Sequence, residues 1–255
     1  MKSIINKPEI SIVMPVYNEA KYLGESINSI LNQTFDDFEL IIINDCSTDD
    51  SARIIRNYGD KRIVSIDNEI NQGFPKSINI GLKLARGKYI AILDGDDVAI
   101  NNRLELQYNY LNHHLYIFLV GSSAIYIDGD GNEIKKFRKY DDYEMLAWRL
   151  KKSCSIIHPS VMFRNEGFLF NPYFKGASDY RFYLELLSAG KHLTNLPQFL
   201  VKYRLHKDSM SISNKEEQER LSNEAREKIN FVSKFKLRFL FKLFIHYIRT
   251  YKEKR

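Results

Sequence analysis

Four short apolar runs in the first hundred residues, each followed by a polar turn and then by residues at helical spacing, constrain the fold of this chain more than any other feature. Residues 9–15 predict a strand that ends at Pro15, which cannot donate to a ladder. Asn18 then reads as the N-cap of a helix bearing Leu23, Ile27, Ile30 and Leu31. Residues 38–44 predict a second strand, closed by the polar stretch 45–49, and a helix with Ile54, Ile55 and Tyr58 runs from there to Gly59. Residues 62–66 predict the third strand; after the polar loop 67–73, a helix bearing Ile78, Leu82 and Ala85 stops at an αL cap on Gly87. Residues 89–93 predict the fourth. Strand and helix in alternation with short connections give an open, mainly parallel α/β sheet, whose ligands bind beyond the carboxyl ends of the strands.

The fourth strand delivers Asp94, Asp96 and Asp97 with only Gly95 among them. Carboxylates gathered at a strand end repel unless a positive charge sits between them, and a hard cation such as Mg²⁺ or Mn²⁺ that also holds phosphate oxygens would neutralise them. The alternative is that Asp96 or Asp97 caps the helix beginning near Asn101. Asp45 and the Tyr17-Asn18 turn also fall at strand ends on that edge, a convergence that capping does not explain.

The pattern then loosens. A helix with Leu104, Tyr108 and Leu111 precedes a strand at 119–127, a turn at 128–132 and a returning strand at 134–137. Strands rather than helices flank Asp128 and Asp130, so this is a hairpin turn and not a calcium loop. Residues 140–152 predict a helix, 155–164 a strand containing His158, 171–176 a loop, and Ser178 the N-cap of a helix that stops at Gly190. Asp179 falls in its first turn, where the helix dipole favours a carboxylate with or without catalytic duty. A strand at 199–204 and a charged segment at 214–230 follow. In an apolar strand His158 reads as a hydrogen-bonded structural histidine, with acceptor contact as the alternative. His113 and His114 point in different directions and make a poor chelate. Trp148 fits helix packing or stacking on a bound substrate ring.

At 44% apolar residues, 255 residues can bury a full core. Cys46 and Cys154 have neither metal-ligand spacing nor a disulfide framework, which fits a reducing cytoplasm. Residues 1–9 lack the apolar stretch of a secretion signal, so a cytoplasmic protein is expected. The net charge of +6 belongs to the tail: residues 231–255 hold eight Lys or Arg against Glu253, leaving a balance of −1 before Phe231. That argues against a nucleic-acid partner for the main body. In the tail Leu237, Leu240, Phe241, Phe244, Ile245 and Ile248 share one helical face, and Arg238, Lys242 and Arg249 another. Such a helix suits an anionic membrane surface at the inner face of the cytoplasmic membrane, or docks on the main domain or a second subunit in a homodimer.

Read together, residues 12–19, 41–49, 71–73, 85–97 and Ser178-Asp179 resemble the motifs of family 2 glycosyltransferases, in order and over about residues 8–210. The resemblance implies the GT-A fold: a catalytic domain at 1–212, with a nucleotide-binding half at about 8–100 and an acceptor-side half at 101–212, and a helical extension at 213–255. It implies an inverting, metal-dependent transfer from a nucleotide-sugar donor, UDP-linked, to a glycan or lipid-linked acceptor. Pro15, Val16, Tyr17 and Glu19 would border the nucleotide, Asp45 would accept from the base, and Arg86 and Gly95 would complete that site. Asp94 and Asp96 match the DXD pair, Asp94 nearer the ribose and Asp96 on Mn²⁺ or Mg²⁺, with His206 approaching the metal or diphosphate. Asp179 matches the general base. Asn44 stands where the family is often acidic, Cys46 where it often has Gly, and Ser178 where it often has Glu. A sugar nucleotidyltransferase would instead carry a Gly-rich basic loop after the first strand, and a non-catalytic binding or scaffold protein would bind donor without transfer.

Overall fold

The computed structural model describes residues 7–139, 141–174, 176–207 and 215–227, so the expected basic helix at 231–255 lies outside the described residues. Strands β1 (Ile10–Val16), β2 (Phe38–Asn44), β3 (Ile63–Asp67) and β4 (Tyr89–Ile92) alternate with helices α1 (Ala20–Leu31), α2 (Ser51–Arg56) and α3 (Phe74–Leu84). Then come β5 (Val98–Ala99), α4 (Arg103–His113), β6 (Ile117–Ile127), β7 (Glu133–Phe137) and α5 (Tyr143–Leu150). A 3₁₀ turn (His158–Ser160), β8 (Met162–Arg164), α6 (Ser178–Ser188), β9 (His192–Arg204) and α7 (Lys215–Glu227) complete the described chain.

The described strands form one sheet in the order β3-β2-β1-β4-β8-β6-β9-β5, with β7 as a hairpin partner of β6. β1 runs parallel to β2 and β4, and β2 to β3, so their carboxyl ends share an edge. β8 is antiparallel to both β4 and β6, and β9 is parallel to β6, which brings the chain leaving β9 back to that same edge. Alternation along the strands splits the core in two. Ile10, Ile12 and Met14 pack with Leu23, Ile27 and Ile30 of α1 and Leu104 and Leu111 of α4. Val13, Ile41 and Ile43 pack on the other face with Ile78 and Leu82 of α3 and Tyr180 and Leu184 of α6. Helix α7 adds Leu221 and Ala225 to this second layer.

Several local expectations shift for physical reasons. β1 continues through Pro15 to Val16. Leu93 N–H bonds Val13 O as β4 ends, so the missing Pro15 N–H, two residues on, falls where no β4 carbonyl waits. Asn18 takes φ +56 and is not the cap of α1; Ala20 N–H at its first turn donates instead to Asp49 Oδ2 at 2.9 Å. α3 ends at Leu84, and Gly87 is no αL cap: a Cβ there would meet Ser11 N at 2.5 Å, so this glycine serves close strand packing. His158 sits on a 3₁₀ turn rather than in a strand, and Ala177, at φ +47, takes the cap position given to Ser178.

Candidate active site at the carboxyl edge of the sheet

Two loops zip together along this edge. Asn18 N–H donates to Ser47 Oγ at 3.0 Å, Thr48 N–H to Asn18 Oδ1 at 2.7 Å, and Glu19 N–H to Ser51 Oγ at 3.0 Å. The turn that results leaves Tyr17 48% exposed, with Pro15 and Val16 buried behind it. Asp45, just past β2, is buried. Its Oδ1 accepts from Asn68 Nδ2 at 2.8 Å and Gln72 N–H at 2.9 Å, and its Oδ2 from Gly73 N–H at 2.8 Å. A carboxylate has about four lone-pair directions, so Asp45 fixes the loop before α3 and keeps about one for a ligand.

The acidic run occupies the centre. Asp94 Oδ1 is buried without a partner. Burial, then the neighbouring Asp96 and Asp179 charges, push its carboxyl up to about 8. Asp97 does not cap α4, whose cap position is Asn102; its Oδ1 accepts Arg204 N–H at 2.7 Å and ties the run to β9. Burial and the charges of Asp96 and Asp94 raise its pKa too. Asp96 Oδ2 lies 2.9 Å from His206 Nε2. Glu19 folds over Gly95, where a Cβ would come within 1.9 Å of Glu19 Oε2. Burial, then Asp96 and Asp94, raise the Glu19 pKa as well. A side chain at Gly95 would therefore have to displace the Glu19 carboxylate.

Two buried arginines answer this negative charge. Arg204 donates through Nε to Asp96 O at 2.8 Å and through Nη2 to Glu25 Oε2 at 2.5 Å, and its guanidinium stacks on Tyr22 with 4.5 Å to the ring centroid. Tyr22 in turn lies 5.0 Å, ring to ring, from His206. Arg103 lies beneath the run, its Nη2 donating to Ile92 O at 2.8 Å and Val161 O at 3.1 Å. Burial lowers its pKa to about 9 against the opposing pull of Asp97 and Asp94. Sequence reasoning missed both roles. Arg204 was visible only as a neighbour of His206, and nothing in the local pattern marks Arg103, which sits in the first turn of an ordinary helix.

Asp179 reaches the site from the first turn of α6, near enough that its charge raises the Asp94 pKa, and 4.0 Å from the Cys154 thiol. Arg86 is not brought there. It precedes β4, at the opposite edge of the sheet, and donates through Nε and Nη2 to the buried Glu39 Oε2 at 2.9 and 2.6 Å. A guanidinium ahead of the amino end of a strand is a strand's length from ligands at the carboxyl end, so the expected nucleotide contact by Arg86 is corrected to a structural ion pair. The other expected residues, Pro15, Val16, Tyr17, Glu19, Asp45, Asp94, Gly95, Asp96, Asp179 and His206, share the carboxyl edge. For a divalent ion the donor set fits: a partly buried carboxylate–imidazole pair at Asp96 and His206 beside an unpartnered Asp94 oxygen. No three acidic, His or Cys groups among the described residues converge on one point, so phosphate oxygens and water would complete the coordination.

Residues 11–169 match the model of glycosyl transferase family 2. An uncharacterized glycosyltransferase of Methanocaldococcus jannaschii is 39% identical over 79% of this chain and 72% of its own length. The Escherichia coli UDP-Glc:alpha-D-GlcNAc-diphosphoundecaprenol beta-1,3-glucosyltransferase WfgD is 32% identical over 81% of this chain and 80% of its own. Among solved structures, S. aureus TarS in complex with UDP-GlcNAc superposes with a TM-score of 0.70 at 19% identity, over 88% of this chain and 68% of that one. The mannosyltransferase PcManGT of Pyrobaculum calidifontis, in complex with GDP-Man and Mn²⁺, superposes at 0.63 and 18% identity, over 80% and 59%.

Proposed function

Since the chain belongs to glycosyl transferase family 2 and is a glycosyltransferase of the GT-A fold, we propose that it carries out a metal-dependent, inverting transfer from a UDP-linked sugar to a hydroxyl of a glycan or lipid-linked acceptor. The observation that carries this reading is the convergence of Asp94, Asp96 with His206, and Asp179 from three separate segments on one edge. Tyr17 and the loop held by Asp45 border the nucleotide, Asp94 faces the ribose, and Asp96 with His206 holds Mn²⁺ or Mg²⁺. Bound there, the metal supplies a Lewis acid to the diphosphate leaving group. Asp179 accepts the proton of the acceptor hydroxyl as that oxygen attacks the anomeric carbon, a contribution of roughly 10²- to 10⁴-fold. With base and diphosphate on opposite faces of the sugar, direct displacement inverts the anomeric centre.

The donors bound in the structural neighbours, UDP-GlcNAc and GDP-Man, support a nucleotide-sugar substrate of the hexose or N-acetylhexosamine class. The diphosphoundecaprenol acceptor in the name of WfgD supports a lipid-linked acceptor. No helix among the described residues is long and apolar enough to cross a membrane. The cations and apolar positions at 231–255 would place the protein peripherally on the surface bearing that acceptor.

A thermal-shift screen of nucleotide sugars with and without Mn²⁺ tests the reading. A donor at 100 times its Kd stabilises by about 2.7 kcal/mol, so the true donor should raise the melting temperature by several degrees only when metal is present. No shift with any nucleotide sugar would contradict it.

A further inference from the structure

The imidazole of His158 is engaged from one side only. Nδ1 lies 2.8 Å from Tyr183 Oη, and Phe74 and Phe170 stand edge-on to the ring with centroids 5.4 and 5.8 Å away. Nε2 is buried and has no partner among the described residues. Buried polar atoms are almost always paired, so an orphan beside a candidate substrate site is available to a group that arrives with the substrate.

The topology puts that orphan at the reaction centre. β8 is antiparallel to β4, and Ile92 N–H bonds Val161 O at 3.0 Å, so the turn carrying His158 flanks the carboxyl end of β4 next to Asp94. Tyr183 follows Asp179 by one turn of α6 and shares its face. The Asp179 charge acts on both His158 and Tyr183; Arg103 acts on His158, and Asp94 on Tyr183. Asp94 Oδ1 and Arg103 Nη1, so coupled to this pair, are likewise buried and unpartnered. Three orphaned polar atoms, from β4's end, α4 and the 3₁₀ turn, therefore lie in the electrostatic neighbourhood of the ribose-side carboxylate and the base. Phe74, against which His158 packs, follows Gly73, whose N–H is fixed to Asp45, so His158 adjoins the loop of the nucleotide half.

We propose that His158 is a specificity-determining residue that hydrogen-bonds, through Nε2, a hydroxyl of the pyranose being transferred, while Tyr183 fixes the ring. Burial keeps the imidazole below its ordinary pKa and hence neutral, with one donor and one acceptor nitrogen. A hydroxyl both donates and accepts, so it satisfies Nε2 whichever nitrogen carries the proton. The inference rests on the nucleotide-sugar reading above and adds the residue that reads the sugar.

Calorimetry in Mn²⁺ with UDP, UDP-glucose and UDP-N-acetylglucosamine tests it, through the ratio of the Kd for UDP to that for the tighter UDP-sugar. His158→Phe keeps the ring packing and removes both nitrogens. It is expected to leave the UDP Kd within about twofold and to lower the ratio about 5- to 30-fold, the effect of one buried hydrogen bond. His158→Gln, whose amide reaches the Nε2 position, should recover most of the ratio. An unchanged ratio in His158→Phe would overturn the assignment, and slower turnover at that unchanged ratio would move His158 to the acceptor side. A parallel loss of UDP and UDP-sugar affinity would reduce His158 to a structural role. Failure of the wild-type protein to bind UDP or either UDP-sugar would instead defeat the UDP-donor reading, and this inference with it.

Discussion

His206 Nε2, on the segment leaving β9, meets Asp96 Oδ2 at 2.9 Å across the end of β4. The contact joins the first half of the chain to the last described strand, and under the proposed function it would offer a metal one carboxylate and one imidazole. Asp96→Ala should abolish the difference in donor affinity between Mn²⁺ and EDTA. His206→Ala should weaken affinity in Mn²⁺ by roughly 10- to 100-fold and leave affinity in EDTA unchanged. Isothermal titration under both conditions checks this, and equal wild-type affinity with and without metal would remove the pair from metal binding.

Arg204 is 2% exposed and ties together Asp96 O, Glu25 and Asp128 O, while its own N–H holds Asp97. Arg204→Ala strips the Asp96 and Asp128 carbonyls of their donor and breaks the ion pair with the half-exposed Glu25, and should cost roughly 1–3 kcal/mol. Arg204→Lys should recover only part, because an ammonium cannot span the fork of acceptors. Urea unfolding reads both, as midpoint shifts at constant slope.

Gly87 faces Ser11 N at 2.5 Å and Ile10 C at 2.7 Å from an added Cβ, and backbone atoms cannot move aside as a side chain would. Gly87→Ala should destabilise by about 1–3 kcal/mol and leave donor affinity intact, since it lies at the edge opposite the site. Gly59→Ala, which meets nothing within 4 Å, is the matched control and should change stability little.

Asp60 is held down to about 2 by the Arg62 guanidinium and then by the Arg62 N–H. A carboxyl whose folded pKa lies below its ordinary 3.8 stabilises above that value and loses the contribution as pH falls toward 2. The pair is near the surface, so screening limits its worth to about 1 kcal/mol at neutral pH. Asp60→Asn should therefore be less stable than wild type at pH 7, with the gap closing between about pH 4 and pH 2. Unfolding free energies across that range read the effect.

The parallel half of the fold was legible because its signals are local: apolar runs bounded by polar turns, and helices with one apolar face. Where position depends on distant strands, the same reasoning failed. Pro15 looked like a strand end because its missing donor matters only if a neighbour waits for it. Asn18 looked like a cap because the carboxylate that caps α1, Asp49, comes from another loop. The acidic run, Asp179 and His206 could be found from the motifs, and topology brings them together. Arg86 lies in the same motif and was misplaced, since a linear match does not say at which end of a strand a residue stands. Arg103 and the His158–Tyr183 pair left no local pattern, because their meaning arises from burial and partners separated by tens of residues.

The most direct test of the central claim times nucleoside diphosphate release from the donor identified by thermal shift, with wild-type protein and Asp179→Asn at equal donor occupancy. The account predicts that Asp179→Asn binds donor as wild type does and turns over roughly two to four orders of magnitude more slowly. Turnover within a few-fold of wild type at matched occupancy would contradict it.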